Sequence, residues 1–341
     1  MLVELVKVQT TDGVRLDGAW NKAATLNSNQ DSSGKESKSL VLCLHGVGSN
    51  FYGSRMMSEV AEAVADWGYD CLRVNLRGHD YCYTGMSRMG VRRLGSAYER
   101  VEQCLEDLDA WLVWADERYQ RVILLGHSLG AIKALYYQVH RSPQSLQALP
   151  SLRQVIAISP PRLSYKAFSQ GQQSAEFRQS IQNARDAMEA GAPRQLVDVT
   201  VPFPLLMTAE SYLDKYGPQE KYNIEQLLDG IQLQTDFIYG GHELQFGGVA
   251  FAGLDESIPE YASDDFKILS TAGLALIDSS LLVEGYQLIS STFEDTDSKE
   301  LREIADRLRN KNENSIIVLI SISEDKAPAI VACSKGVVID A

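Results

Sequence analysis

Residues 121–134 read RVILLGHSLGAIKA. A short apolar run (Val122, Ile123, Leu124, Leu125) leads into Gly126-His127-Ser128-Leu129-Gly130 and then directly into a helical pattern. A serine at the tip of such a strand–turn–helix junction has little room on either flank, and Gly126 and Gly130 relieve that crowding because they lack a side chain. The Ser128 hydroxyl is then expected to project at a helix N-terminus, where backbone N–H groups can stabilise a developing oxyanion. The bland reading of the same residues is a tight turn that only joins strand to helix.

The segments around this stretch alternate. Residues 2–9 and 14–20 flank Thr11-Asp12-Gly13 as an opening hairpin. The polar run 22–38 predicts a surface loop. Strands are expected at 39–44, 69–75, 122–125, 153–159 and 234–239. Helices are expected at about 54–67, 96–119 and 129–140. Strands separated by helices in short units predict an α/β fold, a mostly parallel sheet covered on both faces. Residues 162–230 break the rhythm and predict a helical lid over the strand ends. After about residue 262 the character changes. A charged amphipathic helix at 298–311 and an apolar hairpin at 315–322 and 327–334 predict a small α+β module, so the expected domains are 1–262 and 263–341.

Composition is that of a globular chain: 341 residues, 45% hydrophobic and 23% charged. The net charge of −13 argues against a nucleic-acid partner. No window approaches the ~18 apolar residues of a membrane span. The opening MLVELVKVQTTDGV has no basic stretch followed by an apolar run, so no signal peptide is expected. Five scattered cysteines without a C-x-x-C fit a reduced, cytoplasmic setting. No cofactor or metal is expected. His242-Glu243 is not part of an H-E-x-x-H, no Cys/His cluster has zinc spacing, and Phe51 replaces the third glycine of a dinucleotide fingerprint after Gly46-Val47-Gly48.

Four features in order resemble the α/β-hydrolase family over about residues 1–262: L-H-G-V-G at 44–48, R-G-H-D at 77–80, G-H-S-L-G at 126–130, and Y-G-G-H-E at 239–243. The resemblance implies an eight-stranded, mostly parallel sheet with a helical lid and a Ser–acid–His triad at the strand ends. It implies Ser128 as nucleophile, the N–H groups of Val47 and Leu129 as oxyanion hole, and Glu243 at the place of the acid. The family's histidine follows the eighth strand. The histidines here are 45, 79, 127, 140 and 242, and none lies beyond the acid. Residues 270–341 resemble the C-terminal module of alanyl-tRNA synthetases in KELREIADRLRNK, SIIVLISI and VACSKG, ahead of that module's Gly-rich part. With 7 basic against 12 acidic side chains, this segment is a poor phosphate-binding surface. The two resemblances together read as a hydrolase whose last strand and helix are replaced by a piece of another protein. That junction would leave a sheet edge unpaired unless the following segment supplies a strand.

The function expected is a serine hydrolase acting on a carboxylic ester or similar small acyl compound, impaired if no base stands near Ser128. The alternatives are an inactive hydrolase-fold binding scaffold and an RNA-linked fusion. His242 is the first candidate base, against a turn residue that only positions Glu243. His127 is expected to pack or line the pocket, His45 to fix the oxyanion turn, and His79 with Asp80 to order a loop. His140 is expected at the surface. Asp236 is the weaker alternative acid. Asp107 and Asp109 are expected to be solvated surface charges, and the tyrosines of 212–222 to pack the lid.

Overall fold

The computed structural model describes residues 3–23, 36–66, 68–240, 243–244 and 247–260. Beyond these it describes the segments 266–270, 281–283, 286–294, 298–311, 315–322 and 329–333. The chain forms two compact units, Met1–Ile268 and Leu269–Ala341.

The first unit is built on β1 (Glu4–Gln9), β2 (Arg15–Asn21), β3 (Glu36–Leu44), β4 (Asp70–Val74), β5 (Tyr83–Ser87), β6 (Gly90–Leu94), β7 (Tyr119–His127), β8 (Leu152–Ile158), β9 (Leu196–Val199), β10 (Leu205–Thr208), β11 (Gln234–Tyr239) and β12 (Phe266–Ser270). Eight of these make one sheet in the order β1-β2-β4-β3-β7-β8-β11-β12. β2 runs antiparallel to both of its sheet neighbours, β1 and β4, while β4, β3, β7, β8 and β11 pair in parallel. The eighth strand is therefore present, and it lies beyond residue 262. It covers the β11 edge of the sheet, and the division between the two units falls after Ile268.

Alternation along the central strands explains the two-sided burial. Leu40, Leu42 and Leu44 of β3 and Val122 and Leu124 of β7 point into one core, whereas Val41, Cys43, Ile123 and Leu125 point into the other. α1 (Arg55–Asp66) covers the second core with Met57, Ala61 and Val64. α2 (Cys104–Asp116) and α3 (Leu129–His140) cover the first with Leu108, Trp111, Ile132 and Leu135. Each such side chain contributes about 1.5–3 kcal/mol on burial. Trp111 is fully buried and donates its indole N–H to the Asn75 carbonyl at 3.1 Å, so the polar end of the ring is satisfied.

The lid differs from an all-helical insertion. Between residues 162 and 230 it contains α4 (Tyr165–Gln170), α5 (Ser174–Glu189), the antiparallel pair β9–β10, α6 (Ala209–Tyr216) and α7 (Ile224–Leu227). Tyr212, Tyr216 and Tyr222 are buried within it, as lid packing requires. Two lid residues of α6 tie it to the sheet domain. Asp214 accepts from the Val101 N–H at 2.9 Å, and Lys215 stands 3.6 Å from Glu99, which is itself paired with Lys133 of α3 at 2.7 Å.

Asp107 departs from its expected place at the surface. It is fully buried, and its carboxylate accepts from the Arg77 backbone N–H at 2.9 Å and Nε at 2.8 Å. The sequence pattern misleads because a buried arginine arriving from the β4 loop supplies a partner that helix periodicity does not reveal. Asp109 remains partly exposed and pairs with Arg141 and Tyr137.

The second unit pairs β13 (Leu281–Val283), β14 (Tyr286–Glu294), β15 (Ser315–Ile322) and β16 (Ala329–Cys333) in that order. β14 and β15 are parallel and joined through α8 (Ser298–Lys311); β15 and β16 form an antiparallel hairpin. Leu301, Ala305 and Leu308, one face of α8, pack with Ile317 and Leu319. β13 and β14 are additions to the expected module.

Candidate active site

The sheet order reverses between β3 and β7: the chain leaves β3 toward β4 on one side and returns to β7 on the other. Loops diverge at such a point, and the crevice they leave is where open α/β sheets bind ligands. The turns after β3 and β7 carry Val47 and Ser128.

Ser128 caps α3 with φ 53° and ψ −120°, a conformation that a non-glycine residue holds only when its surroundings enforce it. Its N–H donates to the Ile158 carbonyl at 2.9 Å, and its own carbonyl accepts from Ala131 at 3.0 Å. The flanking glycines have no room for a side chain. A Cβ on Gly126 would stand 2.4 Å from the Gly130 carbonyl oxygen, and one on Gly130 would stand 2.6 Å from the carbonyls of Leu44 and His45. The Ser128 hydroxyl has no hydrogen-bond partner among the described residues. It opens onto a cavity of about 780 Å³ together with Val47 and Leu129. The rest of the lining is mainly lid residues, apolar ones such as Leu163, Phe168, Val201 and Phe203 together with the polar Gln170, Gln172 and Gln173, and residues 247–252, including Val249 and Phe251. Among the described residues no charged side chain lines it.

The turn bearing Val47 is held from three sides. His45 is fully buried. The Leu76 N–H donates to its Nε2 at 3.1 Å, which leaves Nδ1 as the donor to the Gly46 carbonyl at 2.8 Å. Burial first, and then the charge of Lys133, push its pKa down to about 4, so the ring is a neutral brace. Asn50 donates to Asp80 at 2.6 Å and accepts from the Gly53 N–H at 2.6 Å. Asn75 accepts from the Phe51 N–H at 2.9 Å. His79 bonds Asp80 at 2.8 Å and stacks on Tyr83, so this pair orders the loop. Asn50 and Asn75 escape sequence reading because single asparagines in loops carry no pattern.

Glu243 follows β11. Its Oε2 accepts from the Ser159 hydroxyl at 2.5 Å and from the Gly240 N–H at 3.1 Å. Ser159, at the end of β8, is buried with φ 48°, and its N–H donates to Ile238 at 2.7 Å. The carboxylate is thus tied to the ends of two neighbouring strands, on the side of the sheet where β7 ends. Ser159 is a second strained residue that no motif announced. His242 lies outside the described residues. His127 is half-buried; burial lowers its pKa, and the nearby Glu243 charge opposes that shift. It does not line the cavity. His140 is exposed, bonded to the Tyr136 carbonyl at 3.0 Å and stacked on that ring. Asp236 is buried within β11 and accepts from Gln154. Among the described residues no group of three or more His, Cys, Asp or Glu side chains could hold a metal. No helix among them is long and apolar enough to cross a membrane.

The model of the alpha/beta hydrolase family matches residues 41–275. The chain belongs to the alpha/beta hydrolase family. Among solved structures, the alpha/beta hydrolase GrgF from Penicillium sp. sh18 aligns with a TM-score of 0.52 at 14% identity, covering 80% of this chain and 90% of that one. A putative hydrolase from Agrobacterium vitis S4 aligns with a TM-score of 0.51 at 17% identity, covering 79% and 88%. At these identities the likeness is one of fold. Among curated proteins, the alanine–tRNA ligase of Psychromonas ingrahamii is 34% identical over 80 residues, 23% of this chain and 9% of the ligase. That of Clostridioides difficile is 38% identical over 63 residues, 18% and 7%. The chain thus spans less than a tenth of the length of these ligases.

Proposed function

We propose that the chain is a serine hydrolase that cleaves a neutral carboxylic ester, or a similar acyl compound, through an acyl-enzyme on Ser128. The observation that carries this reading is the strained, helix-capping Ser128 opening onto a largely apolar cavity beside Val47. Ser128 Oγ transfers its proton to an imidazole as it bonds to the acyl carbon, and the carbonyl electron pair moves onto the oxygen. The N–H groups of Val47 and Leu129 receive that oxyanion, with the N-terminal end of α3 adding its dipole. Collapse breaks the ester C–O bond, and the leaving alcohol takes the proton from the imidazolium. Water then repeats the sequence and restores the Ser128 hydroxyl.

His242 is the base in this reading, with Glu243 as the acid that orients it. Each other histidine has a competing role or place: His45 is bonded to backbone through both ring nitrogens, His79 holds Asp80, His127 is half-buried off the cavity, and His140 caps the far end of α3. The uncharged lining supports a neutral acyl group, since a carboxylate there would lose its water without gaining a counter-charge.

Labelling with a fluorophosphonate probe tests the reading. Ser128→Ala is expected to abolish labelling, and His242→Ala to reduce it by about 10²–10⁴-fold, the usual range for a general base. Labelling that survives in His242→Ala places the base elsewhere. A folded wild-type chain that does not label overturns the hydrolase reading and leaves a binding scaffold.

A further inference from the structure

The hairpin β5–β6 stands apart from the main sheet and has no role in the chemistry above. Residues 81–98 carry Arg88, Arg92 and Arg93 and no acidic side chain, in a chain of net charge −13. Met86 faces Val91 across the hairpin, with Thr84 and Arg93 as the next pair along. These four side chains share one face, and all four are exposed. Met86, Met89 and Val91 are 62%, 80% and 66% exposed. None of the three arginines forms an ion pair among the described residues. Asp12, whose carbonyl meets the hairpin, is paired with Arg77, and Asp80, next to the hairpin in sequence, bonds Asn50 and His79.

The opposite face is anchored. Tyr83 stacks on His79 and donates to the Arg77 carbonyl at 3.3 Å, and the Arg88 N–H donates to the Asp12 carbonyl at 2.8 Å. Arg93 shares the face of Met86 and Val91, Arg88 stands in the turn between the strands, and Arg92, paired with Gly85 on the other face, donates to Met89 Sδ at 2.9 Å, so the hairpin displays methionine and valine beside guanidinium groups. Two five-residue strands offer a face of about 17 Å by about 10 Å. That is far below the ~800 Å² per partner of a stable protein interface. It suffices for an apolar tip seated at a lipid headgroup boundary, where basic side chains add attraction to anionic lipid.

We propose that this hairpin docks the chain on an anionic lipid surface. The excess acidic charge elsewhere does not prevent it, because groups more than about 8 Å from the surface are screened at physiological salt. The hairpin also adjoins the oxyanion turn: a Cβ on Gly48 would stand 3.4 Å from the Tyr81 ring. Docking would bring that turn close to the lipid boundary. The proposal does not depend on the serine chemistry.

Co-sedimentation of the full chain with phosphatidylcholine vesicles, with and without phosphatidylserine, tests it. Binding is expected only with phosphatidylserine present, and is expected to be lost between about 0.15 M and about 1 M salt. The pair Arg88→Gln with Arg93→Gln is expected to weaken partitioning roughly 30-fold, at the usual worth of two basic side chains near such a surface. Its unfolding midpoint should match wild type, which shows the loss is not misfolding. Met86→Ser with Met89→Ser should weaken binding as well, with its salt dependence kept. Absence of phosphatidylserine-dependent binding, as would follow if an acidic protein were the true occupant, overturns the proposal. So does equal binding by the arginine pair.

Discussion

Replacing Glu99 by glutamine is expected to destabilise the first unit severely, whereas replacing Lys215 by methionine is not. Glu99, Lys133 and Lys215 are all at most 3% exposed, and two cations share one anion. Burial pushes the Glu99 carboxyl up, but the two lysines outweigh it and hold it below its ordinary value. At an effective dielectric of about 20, Lys133 at 2.7 Å and Lys215 at 3.6 Å attract it by about 6 and about 5 kcal/mol. Desolvating three ions costs several kcal/mol each, so the cluster roughly breaks even. Glu99→Gln removes the anion that both lysines contact and leaves two buried ammonium groups without it. The cost is about 3–5 kcal/mol, or roughly 6–20 °C in midpoint for a unit of this size. Lys215 is the weaker partner, because its Nζ has no hydrogen bond and burial pushes its pKa down. Lys215→Met should therefore lie within about 1 kcal/mol of wild type or above it. Thermal and guanidinium unfolding of both variants at neutral pH checks this. A Glu99→Gln midpoint within about 2 °C of wild type would refute the reasoning, as would Lys215→Met falling as far as Glu99→Gln.

Stability is expected to fall as pH drops from about 6.5 toward about 4. The unfolded His45 takes up a proton in that range while the folded ring, with its pKa lowered to about 4, resists it. The slope from this group is at most about 1.4 kcal/mol per pH unit, and His45→Gln should flatten the measured dependence. Asp107→Ala should cost about 3–5 kcal/mol because it strips buried Arg77 of its inner partner. Asp109→Ala, at a partly exposed pair, should cost about 1 kcal/mol or less in the same denaturation assay. Gly130→Ala should abolish probe labelling, because its new methyl lies 2.6 Å from two backbone carbonyls that cannot retreat without shifting β3.

The elbow was readable because its constraint is local. A strand, a serine between two glycines and a helix lie in one short window, and steric crowding at that window depends on nothing distant. The supports of the same site were not readable. Asn50, Asn75 and Ser159 bond residues 24 to 84 positions away, and those bonds form only after the strands align. Asp107 shows the same limit: helix periodicity placed it outside, and Arg77, 30 residues earlier, reversed that. The β5–β6 hairpin was missed because its alternation is interrupted by Gly85 and Gly90 and by arginines on both faces.

The amino-acid sequence alone determined the α/β class, the alternating strand and helix units, Ser128 at its turn, and the change of character in the last quarter of the chain. Each of these rests on periodicity or on sterics within a few residues. Tertiary structure decided which strand closes the sheet, which charges are buried, how the lid is tied down and what lines the cavity beside Ser128. Those outcomes depend on which surfaces meet, and a short sequence window holds no information about residues that become neighbours only when the sheet assembles.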